Sequence, residues 1–143
     1  NDYAETYEKD DVTETSVEGM LVELVPTSGK YRITTSANSR LVVGVISHNY
    51  GMLLGGKTIE GTDDIIDKDL QTDFFAVGVA GKIPVNVVGK VEPGDLLVSS
   101  EIKGLAKADN NAKPGTIIGK ALSTSQLSKN GENNRCLMQI MLA

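Results

Sequence analysis

The chain has 143 residues, 40% of them hydrophobic and 23% charged, with a net charge of −5, four Tyr, two Phe and no Trp. This composition suits one globular domain with a real core; aromatic faces are too few for a base-stacking platform, and the charge has the wrong sign for phosphate backbones or anionic membranes. No apolar run approaches the roughly 18 residues of a membrane-spanning helix, and one cysteine (Cys136) with one histidine (His48) is too few soft ligands for zinc.

Asn1 stands where an initiator Met would, so the sequence reads as a fragment with partner sequence upstream. Residues 1–18 form a lead-in dense in charge, carrying Asp2, Glu5, Glu8, Lys9, Asp10, Asp11, Glu14 and Glu18. At most a short helix or strand is expected there, around Tyr3–Tyr7. From Met20 the pattern becomes short runs rich in Val, Ile, Leu and Thr, separated by Gly, Pro and Asn. They are Met20–Val25, Tyr31–Thr35, Leu41–Ser47, Phe74–Ala80, Ile83–Val88, Asp95–Ser99, Leu105–Ala108, Thr116–Leu122 and Cys136–Leu142. No window keeps helical apolar spacing, and the best helical candidate, Asp63–Leu70, is short and acidic. The fold class expected is all-β, a barrel or sandwich, with residues 19–143 as a single β domain.

An internal repeat of 75 residues supports that expectation. Gly19, Gly29 and Gly44 recur as Gly94, Gly104 and Gly119; Leu21-Val22 matches Leu96-Leu97, and Val42-Val43-Gly44 matches Ile117-Ile118-Gly119. Each copy reads as a glycine turn, a strand, a glycine hairpin and a strand with a fixed glycine. Two related β-units packed face to face follow, at about 19–48 and 83–123, with Asn49–Asp73 as a long insertion between them.

Candidate chemistry concentrates at the start. In Asn1-Asp2-Tyr3-Ala4-Glu5 two carboxylates stand three apart, and a turn or short helix would bring Asp2 and Glu5 to one face. Close carboxylates do not both ionise readily, so one keeps a proton while the other acts as base; the competing reading is a solvated acidic lead-in. Gly51-Met52-Leu53-Leu54-Gly55-Gly56-Lys57-Thr58 fits the letters of a phosphate loop, but no helix start follows it, and an ordinary glycine loop is expected. The acidic run Asp63, Asp64, Asp67, Asp69, Asp73 lacks calcium-loop spacing and reads as a solvated face. His48 has no nucleophile at motif spacing, and Cys136, in an apolar run, reads as a buried structural thiol. No metal and no cofactor are expected, and neither nucleic acid nor membrane as a partner.

The segment Asp2-Tyr3-Ala4-Glu5, followed by Tyr7-Glu8, resembles the DYAE signature that opens the autoproteolytic C-terminal domain of phage tailspike and neck-appendage proteins. Two further blocks are similar to that family: Ile83-Pro84-Val85-Asn86-Val87-Val88-Gly89 through Pro93-Gly94-Asp95-Leu96-Leu97-Val98-Ser99-Ser100, and Pro114-Gly115-Thr116-Ile117-Ile118-Gly119-Lys120-Ala121-Leu122. The resemblance implies a mainly β, homotrimeric assembly domain joined to an upstream fibre or spike domain of the same polypeptide, in a virion tail made in the bacterial cytoplasm. It also implies that Asp2 and Glu5 are a catalytic pair cutting the bond just before Asp2. Other classes stay open: a non-cleaving receptor- or glycan-binding tip using the insertion, a structural decoration-type barrel, or a nucleotide-binding variant.

Overall fold

The computed structural model describes residues 2–48, the backbone of 52–54, and residues 73–127 and 134–143. The helical candidate Asp63–Leu70, its acidic run up to Asp69, Asn1 and most of the insertion lie outside them. Among the described residues there are eleven strands and no helix: β1 (Asp2–Glu8), β2 (Leu21–Val25), β3 (Lys30–Ile33), β4 (Val42–Ile46), β5 (Met52–Leu54), β6 (Phe74–Val87), β7 (Leu96–Ser99), β8 (Ala106–Ala108), β9 (Gly119–Ala121), β10 (Gln126–Leu127) and β11 (Asn134–Ile140). The all-β, barrel-like expectation holds.

Two closed rings account for the topology. In the second, β6 pairs with β11, β11 with β9, β9 with β7 and β7 with β8, and a parallel pairing of Val87 with Ala106 returns β8 to β6. The first runs β1, β6, β4, β2, β3 and closes by a parallel bridge from Lys9 to Tyr31. Closure removes the unpaired edges that an open sheet would present.

The sequence repeat is the repeat of these rings, and it holds at the level of register. Leu21 opposes Val45 and Val22 opposes Gly44; in the second ring Leu96 opposes Lys120 and Leu97 opposes Gly119. Tyr31 and Ala106 are the matching closure points. Gly44 and Gly119 are glycine for one reason, since a Cβ on either would run into a backbone carbonyl of the adjoining strand, that of Gly78 or of Gln139.

The units are not stacked as separate faces. They share β6, whose first half closes one ring and whose second half opens the other. Phe74–Ala80 and Ile83–Val88, which read as two runs, are therefore one strand of 14 residues. Gly81 carries the backbone through with φ 96°, and Pro84 is tolerated because β6 there has a strand partner on one side, β11. The hairpin tip at Gly104 also reaches the first unit: its N–H donates to Thr34 C=O (3.0 Å) and its C=O accepts from Leu21 N–H (2.9 Å).

Each ring buries its own core. Val22, Ile33, Ile46, Phe75 and Val77 fill the first, with Tyr7 and Tyr31 packed against them. Val85, Val87, Leu97, Ile118, Ala121, Cys136, Met138 and Ile140 fill the second, and Leu21, Val45 and Ile83 extend that cluster across the junction.

Candidate functional site

The acidic opening of the chain folds as β1, tied antiparallel to β6 from Asp2 opposite Gly81 to Glu8 opposite Phe74, and flanked at Tyr3–Glu5 by the parallel strand β5. Alternation is visible in its first residues: Asp2 and Ala4 are buried and Tyr3 is exposed. Residues three apart in a strand point to opposite faces. Asp2 and Glu5 consequently do not share a face, as a turn or short helix would have placed them, and each carboxylate has its own surroundings.

Asp2 is 5% exposed. The Ser47 hydroxyl donates to its Oδ1 (3.3 Å), and Ser47 is held where β4 ends by its N–H bond to Ala76 C=O (3.0 Å). The second oxygen, Oδ2, is buried without a hydrogen-bond partner. Gly78 leaves the room for it, since a Cβ there would stand 2.7 Å from Oδ2 and 2.8 Å from Ile83 Cδ1. Loss of hydration raises the Asp2 pKa above the ordinary carboxylate value; the Ser47 bond pulls the other way, and the charge of Glu18 adds to the rise. A carboxyl so placed keeps its proton to higher pH than an exposed one and can act as an acid.

Glu5 accepts from the Tyr7 hydroxyl (3.1 Å). Burial, followed by the neighbouring Glu5 carboxylate, pushes the Tyr7 phenol up to about 12. Tyr7 also meets Tyr31 edge to face, with ring centroids 4.6 Å apart.

The most unexpected residue is Lys9, 2% exposed, whose Nζ donates to Glu14 C=O (2.8 Å) and lies 5.2 Å from the Phe75 ring centre. Burial lowers its pKa, and the nearby carboxylates of Glu14, Asp73 and Asp11 oppose that. Glu14 fastens the segment further: its Oε1 accepts from Ile33 N–H (2.9 Å) and its Oε2 pairs with Lys103 Nζ (3.0 Å) of the docked hairpin.

Residues 52–54 of the phosphate-loop-like stretch are the strand β5 rather than a loop, and the rest of it lies outside the described residues. His48 is exposed, and Cys136 is buried, its thiol pushed up to about 11 by burial. Among the described residues no group of three His, Cys, Asp or Glu side chains is placed to hold a metal ion. A groove lined by Ser39, Arg40, Thr116, Ile118 and Leu142 shares no residue with the surroundings of Asp2. Sequence reading reached Asp2, Glu5 and Tyr7 through the motif but missed Ser47 and Gly78, whose relation to Asp2 arises only through strand pairing.

The fold belongs to a class with solved examples. Of two similar crystal structures, the first is a C-terminal fragment of bacteriophage phi29 gene product 12, at 19% identity and TM-score 0.70, covering 98% of this chain and 100% of that one. The second is pre-mature phi29 gene product 12, at 18% identity and TM-score 0.71, covering 99% of this chain and 21% of that longer one. No protein-family profile and no curated protein sequence matches.

Proposed function

We propose that this chain is the C-terminal assembly and maturation domain of a phage-type tail fibre, tailspike or tail appendage, a virion tail component that cuts itself next to Asp2. The observation that carries the reading is the end-to-end likeness to the phi29 gene product 12 C-terminal fragment. The buried Asp2 at the start of the first strand, within the Asp2-Tyr3-Ala4-Glu5 motif, supports the cleavage part. In this reading water adds its oxygen to the acyl carbon before residue 2, the C–N bond breaks, and Asp2 supplies the proton taken by the leaving nitrogen. Glu5 accepts the proton that the water gives up. In this reading the two carboxyls take separate steps rather than sharing one proton.

A homotrimer joined to an upstream fibre or spike domain is part of the same proposal. The exposed side chains of Leu122, Leu137, Met141 and Leu142 are the kind of apolar surface that neighbouring copies cover.

Intact mass of a precursor carrying its native upstream residues tests the reading. Two fragments, the smaller starting at or beside Asp2, are expected from the wild type, and one uncut chain from Asp2→Ala and from Glu5→Ala. A wild-type precursor that remains whole removes the cleavage part. Sedimentation at several concentrations tests the trimer, and a monomer throughout removes that part.

A further inference from the structure

The two rings act as each other's control. By their matching registers, the places held in the first unit by Ser47 and Gly78 fall in the second on Leu122 and Gln139, and among the described residues the second ring buries no aspartate or glutamate. The second ring builds the same strands without a buried carboxyl, a hydroxyl beside it or a glycine under it. The barrel therefore does not require the trio, and a buried carboxyl with an unpartnered oxygen is a cost to the fold. Such a costly group, absent from the matching unit, points to use rather than architecture.

Resting on the cleavage reading above, we propose that Ser47 is a positioning residue: its hydroxyl fixes Oδ1 of Asp2 while the bare backbone of Gly78 leaves Oδ2 unbonded, as the oxygen that serves the bond before residue 2. The balance is that of hydrolysis. Water's oxygen joins the acyl carbon, the C–N bond breaks, Oδ2 gives its proton to the leaving nitrogen, and the proton released by the water goes to Glu5, as in the cleavage reading. Ser47 touches neither the bond nor the water; it holds the acid in one rotamer, where a displacement of about 1 Å would slow the reaction on the order of 100-fold.

The test uses Ser47→Ala and Ser47→Thr in the precursor, together with the carboxyl carbon resonance of Asp2 followed by NMR titration in the mature chain. Ser47→Ala should slow self-cleavage about 10- to 100-fold, and Ser47→Thr, which keeps the hydroxyl, should recover most of the rate. The Asp2 resonance should titrate at higher pH in Ser47→Ala than in the wild type, because the bond favouring the charged form is gone. The charge of Glu18 and the amino terminus of the mature chain also act on Asp2 and are the same in all three proteins, so the difference reports Ser47. A purely structural serine would lower the melting temperature and shift the Asp2 midpoint but leave the cleavage rate of the folded precursor unchanged, an outcome that overturns the assignment. A wild type that cuts, with Ser47→Ala unchanged in rate and titration, overturns this assignment alone; a wild type that does not cut overturns the cleavage reading and this assignment with it.

Discussion

Asp2 carries a charge where hydration is lost, and this has a sign that solution measurements can read. Its folded pKa lies above the unfolded value, so the native state holds the proton over a pH range in which the unfolded chain has released it. Stability contributed through this group therefore falls as pH rises through that range and is regained on acidification. Asp2→Asn removes the dependence. In denaturant titrations from about pH 4 to pH 7, spanning the ordinary carboxylate range and above, the wild type should lose ground relative to Asp2→Asn as pH rises; parallel curves would contradict the raised pKa. At this scale the sequence was only partly legible. The carboxylates were found, but whether three residues apart means one face or two is decided by β6, which begins at Phe74. Lys9 was invisible for a related reason. A lysine inside a charge run reads as solvated, yet it occupies the place that Val87 fills in the second ring, above Phe75 instead of Cys136.

Among the elements, β4 and β9 each depend on one glycine. Gly44→Ala and Gly119→Ala push a methyl into backbone carbonyls that have no freedom to move aside, and each should destabilise by about 3 kcal/mol or more. Gly89→Ala meets open space but keeps a positive φ of 77°, so strain alone applies and about 1–2 kcal/mol is expected. Thermal melts of the three variants should rank them in that order. These glycines were legible because a repeat makes a backbone constraint appear twice. The continuity of β6 was not, since Gly81 and Pro84 are ordinary breakers and only β11 alongside shows why the strand runs on. β1 was legible only as a short helix or strand around Tyr3–Tyr7, its charges masking which, and β5 and β10 are too short to leave a pattern.

In the whole molecule, the shared β6 and the docked Gly104 hairpin couple the two rings, so unfolding should be a single transition. The tyrosines offer a way to see this, because none lies beyond residue 50 and Tyr3, Tyr7 and Tyr31 stand on β1 and β3 of the first ring. Met138→Ala empties a core position of the second ring and should cost about 2–5 kcal/mol. Tyrosine fluorescence and far-ultraviolet dichroism should record that loss at one common midpoint; a tyrosine transition that stays in place would show two independent bodies. Glu14→Ala should weaken the same coupling by about 1–3 kcal/mol, because it strips Ile33 N–H of its acceptor and Lys103 of its partner.

The pairing of β1 with the middle of β6 also has a mechanical meaning. Asp2 lies opposite Gly81, at the junction of the two rings, and every residue from Asp2 to Glu8 has a partner on β6. Tension applied along β1 from its first residue would enter the molecule at its centre and load that ladder lengthwise, in shear, with the bonds sharing the strain rather than opening one after another.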